Sequence, residues 1–535
     1  MFRFLPVLLV TCLGLMACTS APPQVPKQMS LVQTSSASAP LAQMTQRWQG
    51  RSDGMSGVQI VGDGIDALAL RIALSDLSQT SIDAQYYLLH NDVSGGLFAD
   101  ALLRAADRGV RVRLLLDDMD TRGYDAATRA LETHPNIEIR LYNPFLRSRS
   151  KALSALLEFG RINRRMHNKS MSFDGQITIV GGRNIGDEYF SAREDSNYDD
   201  LDLLAAGPVV REVGKSFDGY WNSPYAVPAS ALITPDEDDL DLATTRDRLA
   251  QHSQQSLGTP YGAALAERIA QTKRAPRPLE PARATLIADP PEKAAGDLPR
   301  EATLSGAMLP HIAALEHQFL VVSAYFVPRD SGVALLRGLE ERGVEVTVLT
   351  NSLDATDVPA VYAHYTRSRP ALLDAGVDLW ELRAEKERPD RTLSGLGLSR
   401  SALHAKAFVL DEQKLFIGSF NWDPRSVRIN SEMGILVESP RLATQAARNF
   451  KAMLPQTAFH LRRDDRGAST GSSMTRAIAG GFIAVPRCCR APVPSPCPFW
   501  RCCRSAGNCD PACVDMPCGI GPTAGMTRQG PLCHR

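Results

Sequence analysis

Two short stretches of this 535-residue chain carry the same four polar residues at the same spacing. The first holds His167, Lys169, Asp174 and Asn184; the second holds His404, Lys406, Asp411 and Asn421. Both read H-x-K-x4-D, with an asparagine ten residues beyond the aspartate. One such match is weak evidence, because short motifs recur by chance; two copies at matching places in a repeat are strong evidence. On a strand, residues two apart project from one face, so each histidine sits beside an ammonium. That is electrostatically unfavourable unless an anion lies between them. Two such pairs brought together supply two imidazoles, two ammoniums and two amides, an inventory suited to a phosphodiester. Lysine binds phosphate as a point charge, and amides donate to its oxygens. A neutral imidazole can attack phosphorus while a second, protonated one gives the leaving alcohol its proton.

The elements that must position these groups are themselves duplicated. Residues 80–118 read as strand, helix, Gly109, strand; residues 318–350 read as strand, helix, Gly343, strand. The glycines fit helix C-caps, where φ is positive. The apolar strands that follow fit a covered sheet, so each copy is a βαβ unit. Gly57–Val61 and Ala284–Ala288 read as the opening strands of the two copies. The expected organisation is α/β, with one repeat over 58–235, a connection over 236–280 containing the acidic run 236–239, and a second repeat over 281–456. Tyr86, Tyr87, Tyr325 and Phe326 are expected at strand ends beside the cleft, either packing against lipid glycerol or belonging to the core. The other eight histidines lack the motif context and are expected to be ordinary surface or core residues.

Composition narrows the class. Hydrophobic residues make up 44% and charged residues 22%, an ordinary globular balance. Lys+Arg and Asp+Glu are each 59, and this neutral total disfavours nucleic acid as the partner. No cysteine lies between Thr19 and Arg487, so the body of the chain holds no disulfide, thiolate zinc site or cysteine nucleophile.

The duplicated motif resembles that of the phospholipase D superfamily, over about residues 58–456. The resemblance implies two tandem α/β/α sandwich domains related by pseudo-two-fold symmetry around one shared active site, a phosphohistidine intermediate, and no metal or other cofactor. Carried over, His167 is the nucleophile and His404 the general acid, then base, with the order less fixed than the pair. Lys169, Lys406, Asn184, Asn421 and Ser419 would hold the phosphate, and Asp174 and Asp411 complete the catalytic motifs in a structural capacity. A carboxylate should orient each histidine and fix its tautomer. Glu432, eleven residues past Asn421, matches the family's placement; Asp202 is the first-half candidate, at a longer spacing that requires a loop insertion. Gly182 stands where the second half has Ser419, so the two phosphate-holding sides are not equivalent.

Within the superfamily, Gly181–Phe190 and Ser419–Ser426 resemble the bacterial cardiolipin synthases, and Thr350–Val358 resembles their C type. That subgroup implies transfer of a phosphatidyl group to phosphatidylglycerol, with phosphatidylethanolamine a candidate donor. Three other activities stay open on sequence: phospholipid hydrolysis, DNA phosphodiester cleavage, and lipid binding without catalysis.

The two ends carry no catalytic motif. A basic start, an apolar run over Phe4–Ala17 and Leu15-Met16-Ala17-Cys18 fit an export signal ending in a lipobox, which would make Cys18 a lipidated first residue. The expectation is a lipoprotein facing the periplasm at a membrane surface, with 18–57, rich in Ser, Pro and Gln, as a flexible tether. Residues 457–535 are read as an atypical tail, whose nine cysteines between Cys488 and Cys533 suggest a frameshift artefact.

Overall fold

Alternating apolar strands and amphipathic helices give two copies of one layered unit. The computed structural model of the chain describes residues 24–48, 53–147, 150, 158–194, 196–234, 240–275, 277–384, 402–463 and 469–472. The first half contributes strands β1 (Met55–Val61), β2 (Ser81–Tyr86), β3 (Arg111–Asp117), β4 (Ile137–Tyr142), β5 (Ser170–Phe173), β6 (Ile177–Gly181), β7 (Asp202–Ala206) and β8 (Ala226–Pro228). The second contributes β9 (Glu280–Ala288), β10 (Gln318–Ser323), β11 (Glu345–Asn351), β12 (Asp378–Leu382), β13 (Lys406–Leu410), β14 (Lys414–Gly418), β15 (Met433–Glu438) and β16 (Ala458–Arg463).

Pairing in the first half runs β8-β4-β3-β2-β5-β6-β7-β1. In the second it runs β16-β12-β11-β10-β13-β14-β15-β9, the same order strand for strand. Strands β2-β3-β4 and β10-β11-β12 are parallel and their helices cross over a face, as expected of βαβ units. The halves join where β1 pairs antiparallel with β9, Met55 opposite Arg283 through Val58 opposite Glu280. Between them lies a shared core in which Val180, Leu203 and Ala205 meet Ala407, Ile417 and Ile435.

The expected punctuation is present. Helix α1 (Gly64–Leu77) is capped by Asp63, and α2 (Val93–Asp107) by Asp92, whose carboxylate accepts from Gly95 N. Gly109 ends α2 at φ 93°, and Gly343 ends the matching second-half helix at φ 85°. Helix α3 (Pro208–Asn222) follows β7 in the first half.

Three organisational expectations change. Residues 24–48, taken as part of a flexible tether, lie against the first half. Lys27 donates to Ala226 O at 2.6 Å, Arg140 to Gln28 O at 2.6 Å, Arg113 to Ser30 O at 2.9 Å and Ser81 to Gln33 O at 2.8 Å. The buried guanidiniums of Arg113 and Arg140 need acceptors, and this segment's carbonyls supply them, a demand that a Ser/Pro/Gln composition does not reveal. The connection contains two helices, α4 (Leu242–Leu257) and α5 (Pro260–Arg274), packed on α2 and α1. Their buried positions include Thr245, Ser253, Ser256 and Thr272, so the apolar stripe that announces a helix is faint. The second unit extends beyond 456, because β16 pairs with β12. The acidic run 236–239, Cys18 and the cysteine-rich stretch lie outside the described residues.

Candidate active site

Each histidine-bearing segment is tied to a backbone segment of the opposite half. His167 N donates to Ser431 O at 2.9 Å, and His404 N donates to Asp199 O at 2.8 Å. Tyr198–Asp199 also pairs parallel with Ala402–Leu403, and Met166 forms the matching bridge to Ser431. This crossed arrangement delivers the orienting carboxylates. His167 Nδ1 lies 2.9 Å from Glu432 Oε2, and His404 Nδ1 lies 2.5 Å from Asp200 Oδ2. With Nδ1–H given to a carboxylate, Nε2 is the reactive nitrogen of each ring.

Asp200 replaces the expected Asp202. In β7 the residue opposite Gly181 is Asp202, and in β15 the residue opposite Gly418 is Gly434. Asp202 is thus the counterpart of Gly434, and Asp200 the counterpart of Glu432. Asp202 instead pairs with Arg71 at 3.0 Å and Arg183 at 3.4 Å in the first-half core. Counting forward from Asn184 crosses an enlarged loop, whereas counting back from the apolar strand would have found Asp200.

Lys169 and Lys406 are buried and reach back to their own motif: Lys169 Nζ donates to His167 O at 2.7 Å, and Lys406 Nζ donates to His404 O. Burial, with Lys169 and Lys406 adding to it against Glu432, lowers His167 to about 4. Burial and Lys406 also depress His404, opposed by Asp200. Burial lowers Lys406 to about 8 and takes Lys169 well below an ordinary lysine. Burial alone would raise Glu432 and Asp200, but each histidine and the lysines outweigh it and hold both carboxyls below their usual range. The site therefore carries cationic groups that shed protons when no anion is present, the electrostatic profile of an anion receptor.

The remaining motif residues divide. Asp174 and Asp411 sit at the turns beyond β5 and β13, at φ 54° and 52°, on the far side of those strands from the histidines. Asp174 accepts from the backbone N–H groups of Gln79, Thr80 and Ser81; Asp411 accepts from those of Glu316, His317 and Gln318. They pin β2 and β10 and take no part in the cleft. Asn421 Oδ1 accepts from Tyr325 N at 3.2 Å, and Asn184 Oδ1 accepts from Leu88 N at 3.2 Å. Asn184 Nδ2 also donates to Tyr189 Oη at 2.8 Å, which engages one of its two amide hydrogens within the protein. Ser419, expected on the phosphate, gives its hydrogen to Glu432 Oε2 at 2.5 Å, and Ser426 donates to the other oxygen at 2.7 Å. A hydroxyl has one proton to give, so Ser419 orients the acid.

Aromatic groups complete the walls. Tyr87 stands edge-on to His167 with centroids 5.1 Å apart. Tyr198 lies nearly parallel to His404 at 5.2 Å and Tyr189 edge-on at 5.1 Å. Tyr87 and Tyr325 line the cleft as expected. Tyr86 and Phe326 belong to the core, Tyr86 accepting from Arg71 Nε at 3.0 Å and Phe326 packing on Tyr365 and Trp422. Sequence reasoning missed Asp200, Ser426, Tyr189 and Tyr198; of these, Asp200 alone had a usable signal, in the strand register.

Comparison with known proteins fits this geometry. The sequence matches the family described as cardiolipin synthase, PLD-like domain, over residues 72–221 and 308–454. Among curated relatives, Cardiolipin synthase C of Escherichia coli (strain K12) is 39% identical over 425 residues, spanning 77% of this chain and 88% of the relative. A Cardiolipin synthase of Staphylococcus aureus (strain Mu50) is 24% identical over 370 residues, spanning 69% of this chain and 61% of the relative. Among solved structures, a phosphatidylserine synthase from Haemophilus influenzae Rd KW20 superposes with a TM-score of 0.53 at 12% identity, covering 79% of this chain and 92% of that one, a likeness of fold.

Proposed function

The chain belongs to the family of phospholipase D-like cardiolipin synthases, and from that premise we propose that it is a phosphatidyltransferase making cardiolipin through a phosphohistidine intermediate. The crossed pairs Glu432–His167 and Asp200–His404 carry this reading, because they hold two imidazoles, each without an Nε2 partner among the described residues, beside two buried lysines. In the first step His167 Nε2 attacks the phosphorus of a phospholipid, forming a P–N bond. The P–O bond to the headgroup alcohol breaks, and His404, protonated, gives that oxygen its proton. In the second step neutral His404 takes the proton of an incoming glycerol hydroxyl, whose oxygen attacks phosphorus and releases His167. Lys169 and Lys406 offset the phosphate charge throughout.

Depression of His167 to about 4 keeps its nitrogen free at neutral pH, as a nucleophile requires; His404 is depressed as well, so the order of the two rests on the family resemblance rather than on these shifts. The lipid pair is phosphatidylglycerol as acceptor with phosphatidylglycerol or phosphatidylethanolamine as donor, met at a membrane surface to which lipidated Cys18 would hold the chain. Among the described residues no helix is long and apolar enough to cross a membrane. The test incubates the protein with labelled phosphatidylglycerol, with and without phosphatidylethanolamine, and separates the lipids. Cardiolipin is the expected product; phosphatidic acid without cardiolipin would make the protein a hydrolase.

A further inference from the structure

The run Thr350–Val358, at the end of β11, has no part in the chemistry described so far, yet one of its side chains reaches the His404 wall. Asp357 Oδ2 accepts from Tyr325 Oη at 2.8 Å and from Tyr198 Oη at 3.3 Å. Tyr325 is anchored in turn, because its backbone N–H donates to Asn421 Oδ1. Tyr198 comes from the first half and lies against His404 with the ring planes 23° apart. Tyr189 packs on Tyr198 at 5.0 Å and edge-on to His404, and its hydroxyl accepts from Asn184. A second-half carboxylate thus closes a clasp over a first-half tyrosine that backs the second-half histidine. The first half has no matching clasp among the described residues. Its strand β3 leads into Asp118, which is engaged by Arg147 at 2.7 Å, and among the described residues Tyr87 is the one aromatic ring packed beside His167.

We propose that Asp357 is a positioning residue for His404, acting through Tyr198 to hold the imidazole in place between Asp200 and the tyrosine wall during both proton transfers. The proposal rests on the reading of His404 as the proton carrier. A ring held on one nitrogen alone can still swing about that bond, and small misplacements of a proton-transferring group are costly. Among the described residues, the charged and titratable groups facing His404 are Asp200, Lys406, Asp357, Tyr189 and Tyr198. Asp357 also favours the imidazolium, so its neutralisation should lower the pH at which His404 loses its proton.

The test compares Asp357→Asn, Asp357→Glu, Tyr198→Leu and His404→Ala in the full chain on vesicles containing labelled phosphatidylglycerol, with kcat, KM and thermal midpoint measured across pH. Asp357→Asn should lower kcat about 10- to 100-fold with KM little changed. The descending, high-pH limb of kcat should move to lower pH, with the thermal midpoint held and part of the rate restored in Asp357→Glu. Tyr198→Leu should reproduce the loss. Wild-type rates and pH limb in Asp357→Asn beside an inactive His404→Ala overturn the proposal, as does a loss of rate that comes with a lowered thermal midpoint and an unmoved pH limb. Full activity in His404→Ala overturns the two-histidine reading itself, and the proposal with it.

Discussion

The two halves share strand order and motif spacing, yet they hold the carboxylates that orient their histidines differently. Glu432 takes hydrogen bonds from Ser419 and Ser426, while Asp200, one methylene shorter, presses against Gly182. A Cβ added at Gly182 would fall 2.1 Å from Asp200 Oδ1, so no larger residue fits while the carboxylate stays in place. Gly182 and Asp200 are therefore one solution to orienting an imidazole, and Ser419 and Glu432 another. The aromatic wall differs too: His404 is backed by Tyr189 and Tyr198, His167 by Tyr87. Duplication has kept the geometry of the reacting groups and let their supports diverge, as expected if one histidine bonds to phosphorus and the other moves protons.

The largest effect should come from the histidines themselves. His167→Ala should lower the rate by about 10^4-fold or more on every substrate. His404→Ala should cost about 10^2- to 10^4-fold on lipid, but much less in the first step on a nitrophenyl phosphodiester, whose leaving group needs no proton. Equal losses for the two variants on that ester, measured by nitrophenolate release, would erase the assigned difference between the halves.

The carboxylates come next. Asp200→Asn should lower kcat about 10^2- to 10^4-fold with the fold retained, because the His404 tautomer is no longer enforced. Asp202→Asn should act on stability, because it removes a buried partner from Arg71 and Arg183. A lowered thermal midpoint, with kcat of the folded fraction near wild type, would separate the two aspartates. At the supporting positions, Gly182→Ser should cost about 10^2-fold by displacing Asp200, and Ser419→Ala about tenfold by removing one charge-assisted hydrogen bond to Glu432. Reversal of that order would contradict the steric account.

The smallest effect concerns pH. Lys406 must be protonated to hold phosphate, and burial places its titration at about 8. KM for lipid should therefore rise as pH increases through about 8, while His167, already neutral above about 4, contributes nothing there. A KM flat from pH 7 to 9 would place the phosphate's counter-charge elsewhere.

Much of this was legible from sequence because it is local. Strand–helix–strand periodicity, Gly109 and Gly343, and the spacing of His, Lys and Asn depend on neighbouring residues. What escaped was long-range. The exchange of carboxylates between halves depends on packing, and the enlarged loop between Asn184 and Asp200 hid the right aspartate behind the wrong count. Tyr86 and Tyr87 are adjacent at a strand end, where a one-residue shift exchanges core for cleft. The docking of residues 24–48 answers buried arginines far away in the chain.

The central claim is that His167 bonds to phosphorus while His404 moves protons. Rapid mixing with a phosphorus-labelled short-chain phospholipid, an alkaline quench that preserves a P–N bond, and peptide mapping test it directly. The expected result is label on His167, lost in His167→Ala and, when a labelled nitrophenyl phosphodiester replaces the lipid, accumulating in His404→Ala; label on His404, or none on protein while turnover proceeds, would contradict it.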